Sequence, residues 1–513
     1  MLKNSSILIL FLIGLLTTVY ILGIPSRKPH IDDAWLAEHS YWFLHDGLAK
    51  SKLMSGIADG ENRLILHHKL FTIQGAAIVA LFGFSLQAFK FVSLLYLLFT
   101  AMLIYLSRLN KSLFYNKNTW KSALLVLFLS PLIYQYSFVY RPETMLMFIG
   151  FFSFLSLSYA LKSNRPKMFS WIGGLLAGLS LATHLNGSIF IAAGFLLLIS
   201  RWKPKLAILF AIGAITTTLG YFYDFRSFSD FYIWYTQLTF IPSTKQTEDG
   251  FFMHFILNIL NEHLRYFHSP KEISLTLLLI TALITTWKYI RLNHSVVFHY
   301  MILLVLSLGV ISLHKTSKYL VLLLPYFSLL IAYALDENFW NNPSFKRPWL
   351  AGALIIYLIV GMVYNVSIST RKYDAGLNRK ISEVACGDDC ISINALAPMI
   401  FIFDEITHYQ KITSLMSINE RLKIDPELKD KKLLETLSAE GIDILYLNHH
   451  YQQKLLLSSF SLNDTLSDYK AIYKANDLMI WKKKNLVVKA DEEIPKIQTS
   501  YKKGIWHYVS AFD

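Results

Sequence analysis

Ile31-Asp32-Asp33-Ala34-Trp35 is the stretch on which the reading of this chain turns. It sets an acidic pair a few residues beyond the first long apolar run and directly ahead of a helix-patterned run, Leu36–Leu44. Two carboxylates so close to the end of a membrane-length segment face the membrane surface, where lipid head groups are handled. Alone, the pair also reads as the acidic first turn of an ordinary helix, which the helix dipole favours.

Outward from this point the chain is apolar. Of its 513 residues 54% are hydrophobic and 16% charged, with a mean hydropathy of +0.40. Runs near 5–24, 86–107, 121–138, 144–161, 169–184, 187–200, 206–222, 273–290, 296–313, 319–335 and 348–366 approach the ~20 residues that cross a bilayer as helix. The fold class expected is a polytopic α-helical membrane protein of about eleven spans.

Lys and Arg resist translocation, so their loops report orientation. Arg108/Lys111/Lys117/Lys121, Lys162/Arg165/Lys167, Arg201/Lys203/Lys205, Lys288/Arg291 and Lys346/Arg347 occupy alternate loops and read as cytoplasmic, together with Lys3. The segment 69–84 is apolar but short, and counting it as a span would invert every later loop; it reads as a helix on the outer surface. The outer face then collects 25–85, 139–143, 184–186, 223–272, 314–318 and everything after 367. A multi-pass protein of the cell (inner) membrane with a cytoplasmic N-terminus is expected.

Formal net charge is +14. Residues after 367 carry about 20 bases and about 20 acids, so the excess lies in the membrane half. That placement favours anionic lipid as a partner and excludes nucleic acid. From 370 the pattern alternates: helix at Ile381–Val384, strand at Ile391–Ile393, helix at Leu433–Ala439, strands at Ile442–Leu447 and Leu478–Trp481. Residues 1–368 thus read as a transmembrane catalytic domain and 369–513 as an extracytoplasmic α/β domain. It holds the only cysteines, Cys386 and Cys390, a pair that can bridge where the compartment is oxidising.

Four polar groups on the outer face carry chemistry. Asp32 and Asp33 supply general bases or cation ligands. Arg141-Pro142-Glu143 is compressed into a short outer turn, where Pro suits the first turn of a helix and Glu143 its dipole. Arg63 with His67-His68-Lys69 forms a cationic cluster suited to a lipid phosphate. His314-Lys315-Thr316-Ser317-Lys318-Tyr319 gathers cations and hydroxyls in six residues. His184 and Arg265 add polar groups at other outer ends, while the aromatics of 221–240 read as an interfacial belt.

In their order and membrane side these elements resemble the GT-C glycosyltransferases that use polyprenyl-phosphate sugars, particularly protein O-mannosyltransferases and lipid A aminoarabinose transferases. That family places an acidic pair after the first span, then a surface helix, a Lys opening a second one, and an acid in the next outer turn. Here those positions read Asp32-Asp33, Leu36–Leu44, Lys69 and Glu143, with Leu81–Ser85 and Lys318 to Pro325 as further landmarks. Trp35 stands where the aminoarabinose transferases carry Arg, which shifts phosphate binding toward Lys69, Arg63 or the 314–319 turn.

The resemblance implies inverting transfer of a sugar from a polyprenyl-phosphate donor to a lipid, protein or glycan acceptor. It makes Asp32, Asp33 and Glu143 the catalytic acids. Lys69, Arg63, His68, Arg141, His184, Arg265, Lys315, Lys318 and Tyr319 become the substrate-binding set. A divalent metal ion remains open as a cofactor, since no fixed-spacing ligand motif demands one. A flippase of lipid-linked sugars is the rival reading; against it, the sequence has no internal repeat and few ionisable residues at span centres.

Overall fold

The computed structural model describes residues 2–25, 27, 30–54, 59–109, 119–240, 256–293, 295–312, 315–336 and 348–370, and in the C-terminal region 392–395, 411–414, 435, 437–439, 441–448, 461–475 and 478–485. His314, the Cys386/Cys390 pair and the helix expected at 381–384 lie outside the described residues.

The first part of the chain is helical: α1 (Leu2–Gly23), α2 (Ile31–Asp46), α3 (Lys69–Phe82), α4 (Leu86–Leu106), α5 (Thr119–Phe128), α6 (Pro131–Tyr136), α7 (Pro142–Ala160), α8 (Pro166–Thr183), α9 (Ser188–Ser200), α10 (Pro204–Leu219) and α11 (Ser229–Phe240). After it come Pro270–Asn293, Ser295–Ile311, the 3₁₀ turn Ser317–Leu323 running into Leu324–Leu335, and Pro348–Thr370. Six described helices are long and apolar enough to cross a membrane, and shorter apolar helices such as Ser295–Ile311 accompany them. The chain is an integral membrane protein of polytopic helical class.

Two expected elements differ. The span at 121–138 is two helices, because Ser130 adopts extended backbone (ψ 122°) before Pro131, which has no N–H to continue the ladder. The surface helix expected at Leu36–Leu44 starts at Ile31, so the acidic pair belongs to its first turn.

Small residues let α8 and α10 cross closely. A Cβ on Gly174 would collide with the Phe210 carbonyl, and one on Gly178 with Thr217 Oγ1 and the Ala214 carbonyl. Overpacking against backbone costs about 1–3 kcal/mol or more. Gly174→Leu is therefore expected to lower the melting temperature in detergent, whereas Gly220→Leu, whose added Cβ meets nothing within 4 Å, should not; equal effects would refute this crossing.

Beside these helices Phe154, Tyr300 and Tyr326 form a buried ring cluster with centroids 4.7, 5.2 and 5.4 Å apart. α2 packs on α3, and Tyr140 joins them to α4: its N–H donates to Asp33 of α2, and its ring stacks on Phe71 of α3 at 4.4 Å and lies 4.6 Å from Phe89 of α4. Glu38 of α2 accepts hydrogen bonds from Trp42 Nε1 (3.2 Å), Ser51 Oγ (2.6 Å) and the Lys52 N–H (2.6 Å), which ties the loop after α2 back to the helix.

The C-terminal region is a mixed six-stranded sheet of order β2-β1-β3-β6-β5-β4, made of Ser392–Ala395 (β1), Lys411–Ser414 (β2), Ile444–Asn448 (β3), Thr465–Leu466 (β4), Tyr469–Ala475 (β5) and Leu478–Lys483 (β6). β1 runs parallel to β2 and β3, and the remaining pairs are antiparallel. Buried Leu437, Ile444, Leu445, Tyr469 and Trp481 give it an apolar core.

Candidate active site

The acidic pair divides into two tasks because α2 begins at it. His30 caps the helix reciprocally: its Nδ1 accepts from the Asp32 N–H at 3.1 Å while its own N–H donates to Asp33 Oδ2 at 2.6 Å. Asp33 Oδ1 accepts from the Tyr140 N–H at 2.5 Å, and Lys90 Nζ stands 3.9 Å from Oδ2. Burial pushes the Asp33 carboxyl up, against Lys90 and the two N–H donors. Read from sequence as a catalytic acid, Asp33 is 0% exposed with both oxygens engaged. It fastens α2 to the strand-like turn before α7.

That fastening brings Asp32 against Arg141, the N-cap of α7, in an ion pair through Nη1. The other edge of the same guanidinium grips Glu143 in a fork, Nε to Oε2 at 2.9 Å and Nη2 to Oε1 at 2.7 Å. Asp32, Arg141 and Glu143 thus form a carboxylate–guanidinium–carboxylate array, with Glu143 buried and Asp32 half-buried. Among the described residues no three His, Cys, Asp or Glu side chains converge as metal ligands. Arg141 lies between the two carboxylates and bonds to both.

The expected cations fall into three groups. Lys69, 1% exposed, donates to Asp224 Oδ1 and Oδ2 at 2.7 and 2.6 Å and to the Ile65 carbonyl at 2.6 Å. Burial pushes its ammonium down to about 8 while Asp224 opposes the fall. On Asp224 burial acts upward, but His67 (3.2 Å) and Lys69 outweigh it and hold the carboxyl low. Arg63 forks onto Asp230 at 2.9 and 3.0 Å. Gln237 completes this seam, accepting from the Ile65 and Leu66 N–H groups at 2.9 Å each and donating to the Arg63 carbonyl at 2.8 Å. Lys69 and Arg63 therefore clamp α11 and the turn before it onto the 63–69 loop.

Arg265 and Lys315 share one acid. Glu262 accepts from Arg265 Nε and from Lys315 Nζ, each at 2.7 Å, and Arg265 also donates to the Thr316 carbonyl at 2.9 Å. Together they brace the turn that leads into Tyr319.

The third group surrounds the array. His68 stacks on His184 with centroids 4.5 Å apart, and His184 meets Tyr319 edge-on at 6.0 Å. Lys318 acts electrostatically on His30, His68, His184 and Glu143 alike, which places its ammonium among them. Its only close partner among the described residues is the Tyr319 ring, 5.3 Å from Nζ. Desolvation pushes His68 down to about 4, with Glu143 opposing and Lys318 assisting, and drives His184 well below the ordinary range. Both imidazoles are neutral at pH 7.

Sequence reading missed Asp224, Asp230, Gln237 and Glu262. Three of them sit in 221–240, where aromatic density dominated the pattern; Glu262 did leave a local signal, standing three residues before Arg265.

No protein-family profile matches the chain, and no curated protein matches it by sequence. Solved structures do. ArnT from Cupriavidus metallidurans in the apo state superposes with a TM-score of 0.62 at 11% identity, over 93% of this chain and 98% of that one. The same protein bound to undecaprenyl phosphate gives 0.58 at 9% identity with the same coverage. The Archaeoglobus fulgidus oligosaccharyltransferase, tethered to an acceptor peptide, gives 0.53 at 9% identity over 84% of this chain and 68% of that one. A row of apolar helices followed by a sheet, superposed on ArnT over 93% of this chain and 98% of that one, gives this chain the GT-C glycosyltransferase fold.

Proposed function

We propose that this protein transfers a sugar from a polyprenyl-phosphate donor to a lipid A, protein or glycan acceptor at the outer face of the cytoplasmic membrane, by inverting displacement. The observation that carries this reading is the Asp32–Arg141–Glu143 array with the half-buried ammonium of Lys318 beside it. A carboxylate and a cation with no oxygen partner among the described residues, side by side where water is scarce, suit attack by an acceptor hydroxyl and departure of a phosphate.

Asp32 takes the acceptor proton as the new glycosidic bond forms. Arg141 aims Asp32 through their ion pair, and Glu143 fixes Arg141 from behind. Lys318 stabilises the charge that develops on the leaving polyprenyl phosphate, with Tyr319 and His68 lining its approach. Lys69, Arg63, Arg265 and Lys315 hold the walls of the site in place through Asp224, Asp230 and Glu262. The likeness to a protein bound to undecaprenyl phosphate supports a polyprenyl carrier.

The test is transfer from a panel of radiolabelled polyprenyl-phosphate sugars to endogenous membrane acceptors by the purified protein in liposomes. A labelled acceptor that forms only with active protein supports the reading and names the donor. Donor that crosses the bilayer with no product would overturn it in favour of a flippase.

A further inference from the structure

Trp35 and His39 lie on the same face of α2 as Asp32, at spacings of three and seven residues, one and two turns along. Their rings meet edge-on with centroids 5.2 Å apart. His39 is 2% exposed, yet neither of its ring nitrogens has a hydrogen-bond partner among the described residues, and the buried Trp35 Nε1 has none either. Leaving such groups unsatisfied costs about 1–3 kcal/mol each. Three such atoms lie on the helix face that carries Asp32, with hydrogen-bonding capacity that no described residue uses.

The row continues toward the phosphate end. His39 senses His67 and His68 electrostatically, and His68 stacks on His184, which leads to Tyr319. His67 is engaged by Thr72 and Asp224, whereas the His68 ring makes no hydrogen bond among the described residues. Desolvation keeps His39 and His68 neutral. The acids near the row are taken: Asp32 and Glu143 by Arg141, and Asp224 by Lys69. Flat rings edged with neutral donors and acceptors match a pyranose, which has an apolar C–H face and a rim of hydroxyls. Among the described residues the strip itself, Trp35, His39 and His68, carries neither a carboxylate for an amino sugar nor a cation for an acidic one.

We infer that Trp35, His39 and His68 form the recognition strip for the donor sugar, and that the strip selects an uncharged pyranose over an amino or acidic one. This rests on the polyprenyl-phosphate transferase reading. Trp35 thereby becomes a specificity-determining residue.

Binding to the full-length protein in nanodiscs tests it without requiring turnover. The probes are undecaprenyl phosphate alone, the same carrier bearing glucose, mannose or galactose, and the carrier bearing 4-amino-4-deoxyarabinose. One uncharged hexose should raise affinity over the bare carrier about tenfold, and the amino sugar should not. Trp35→Phe and His39→Leu should each remove most of that gain while bare-carrier affinity stays within about twofold, and His39→Gln, which keeps hydrogen-bonding capacity, should retain more of it than His39→Leu. A preference for the amino sugar, a gain that survives both substitutions, or an equal loss of bare-carrier binding would each overturn the strip while leaving the transferase reading standing. Failure of the wild type to bind any of the carriers would overturn both.

Discussion

Asp32→Asn is expected to lower sugar transfer by about 10²–10⁴-fold, the usual contribution of a positioned general base, with no loss of protein from the membrane. The two halves of that expectation come from different atoms. The capping that holds α2 in place belongs to Asp33 and His30, so the amide at position 32 leaves the helix start intact. Arg141 likewise keeps its fork on Glu143. What disappears is the negative charge and the capacity to take a proton. Initial rates on the donor identified from the panel, set beside quantitative blotting of the membrane fraction, measure both halves. Substantial retained turnover would remove Asp32 from the role of base; loss of the protein itself would show that the ion pair to Arg141 carries more of the fold than its half-buried position implies.

Arg141→Met should be the most destabilising change near the site. Removing one partner of a buried ion pair costs about 3–5 kcal/mol, because the remaining charge has lost its compensation. Here the stranded group is Glu143, 1% exposed. The single variant should melt well below the wild type and show no transfer. Adding Glu143→Gln removes the stranded charge, so the double variant should recover much of the stability while transfer stays absent. Thermal melts in detergent and the liposome assay separate the two effects. A single variant as stable as wild type would mean that the array contributes nothing to the fold.

Membrane architecture was legible because it depends on composition over ~20-residue windows, a signal that survives ignorance of every contact. The order of helix starts was legible from local pattern: Asp32, Lys69 and Glu143 each stand in the first turn of a helix. The break at Pro131 was visible as a residue but outweighed by the apolar run around it. Partnership was what local pattern could not supply. Lys69 finds Asp224 across 155 positions, Arg63 finds Asp230 across 167, and Lys315 finds Glu262 across 53. A list of bases on one face therefore reads as a phosphate-binding surface, and only the fold shows which of them are already neutralised.

That neutralisation bears on how the enzyme would finish a cycle. The spent carrier leaves as a phosphate monoester, more highly charged than the diester that entered. A pocket with five or six uncompensated cations would grip it harder than the donor, and turnover would wait on its escape. Here acids pair with Lys69, Arg63, Arg265 and Lys315, and among the described residues of the site the Lys318 ammonium is the one left to act while the sugar–phosphate bond would break. On the transferase reading proposed above, the counter-ions Asp224, Asp230 and Glu262 would act against product retention: they would leave enough attraction to favour departure of the phosphate from the sugar, and too little to keep the empty carrier from returning to the bilayer.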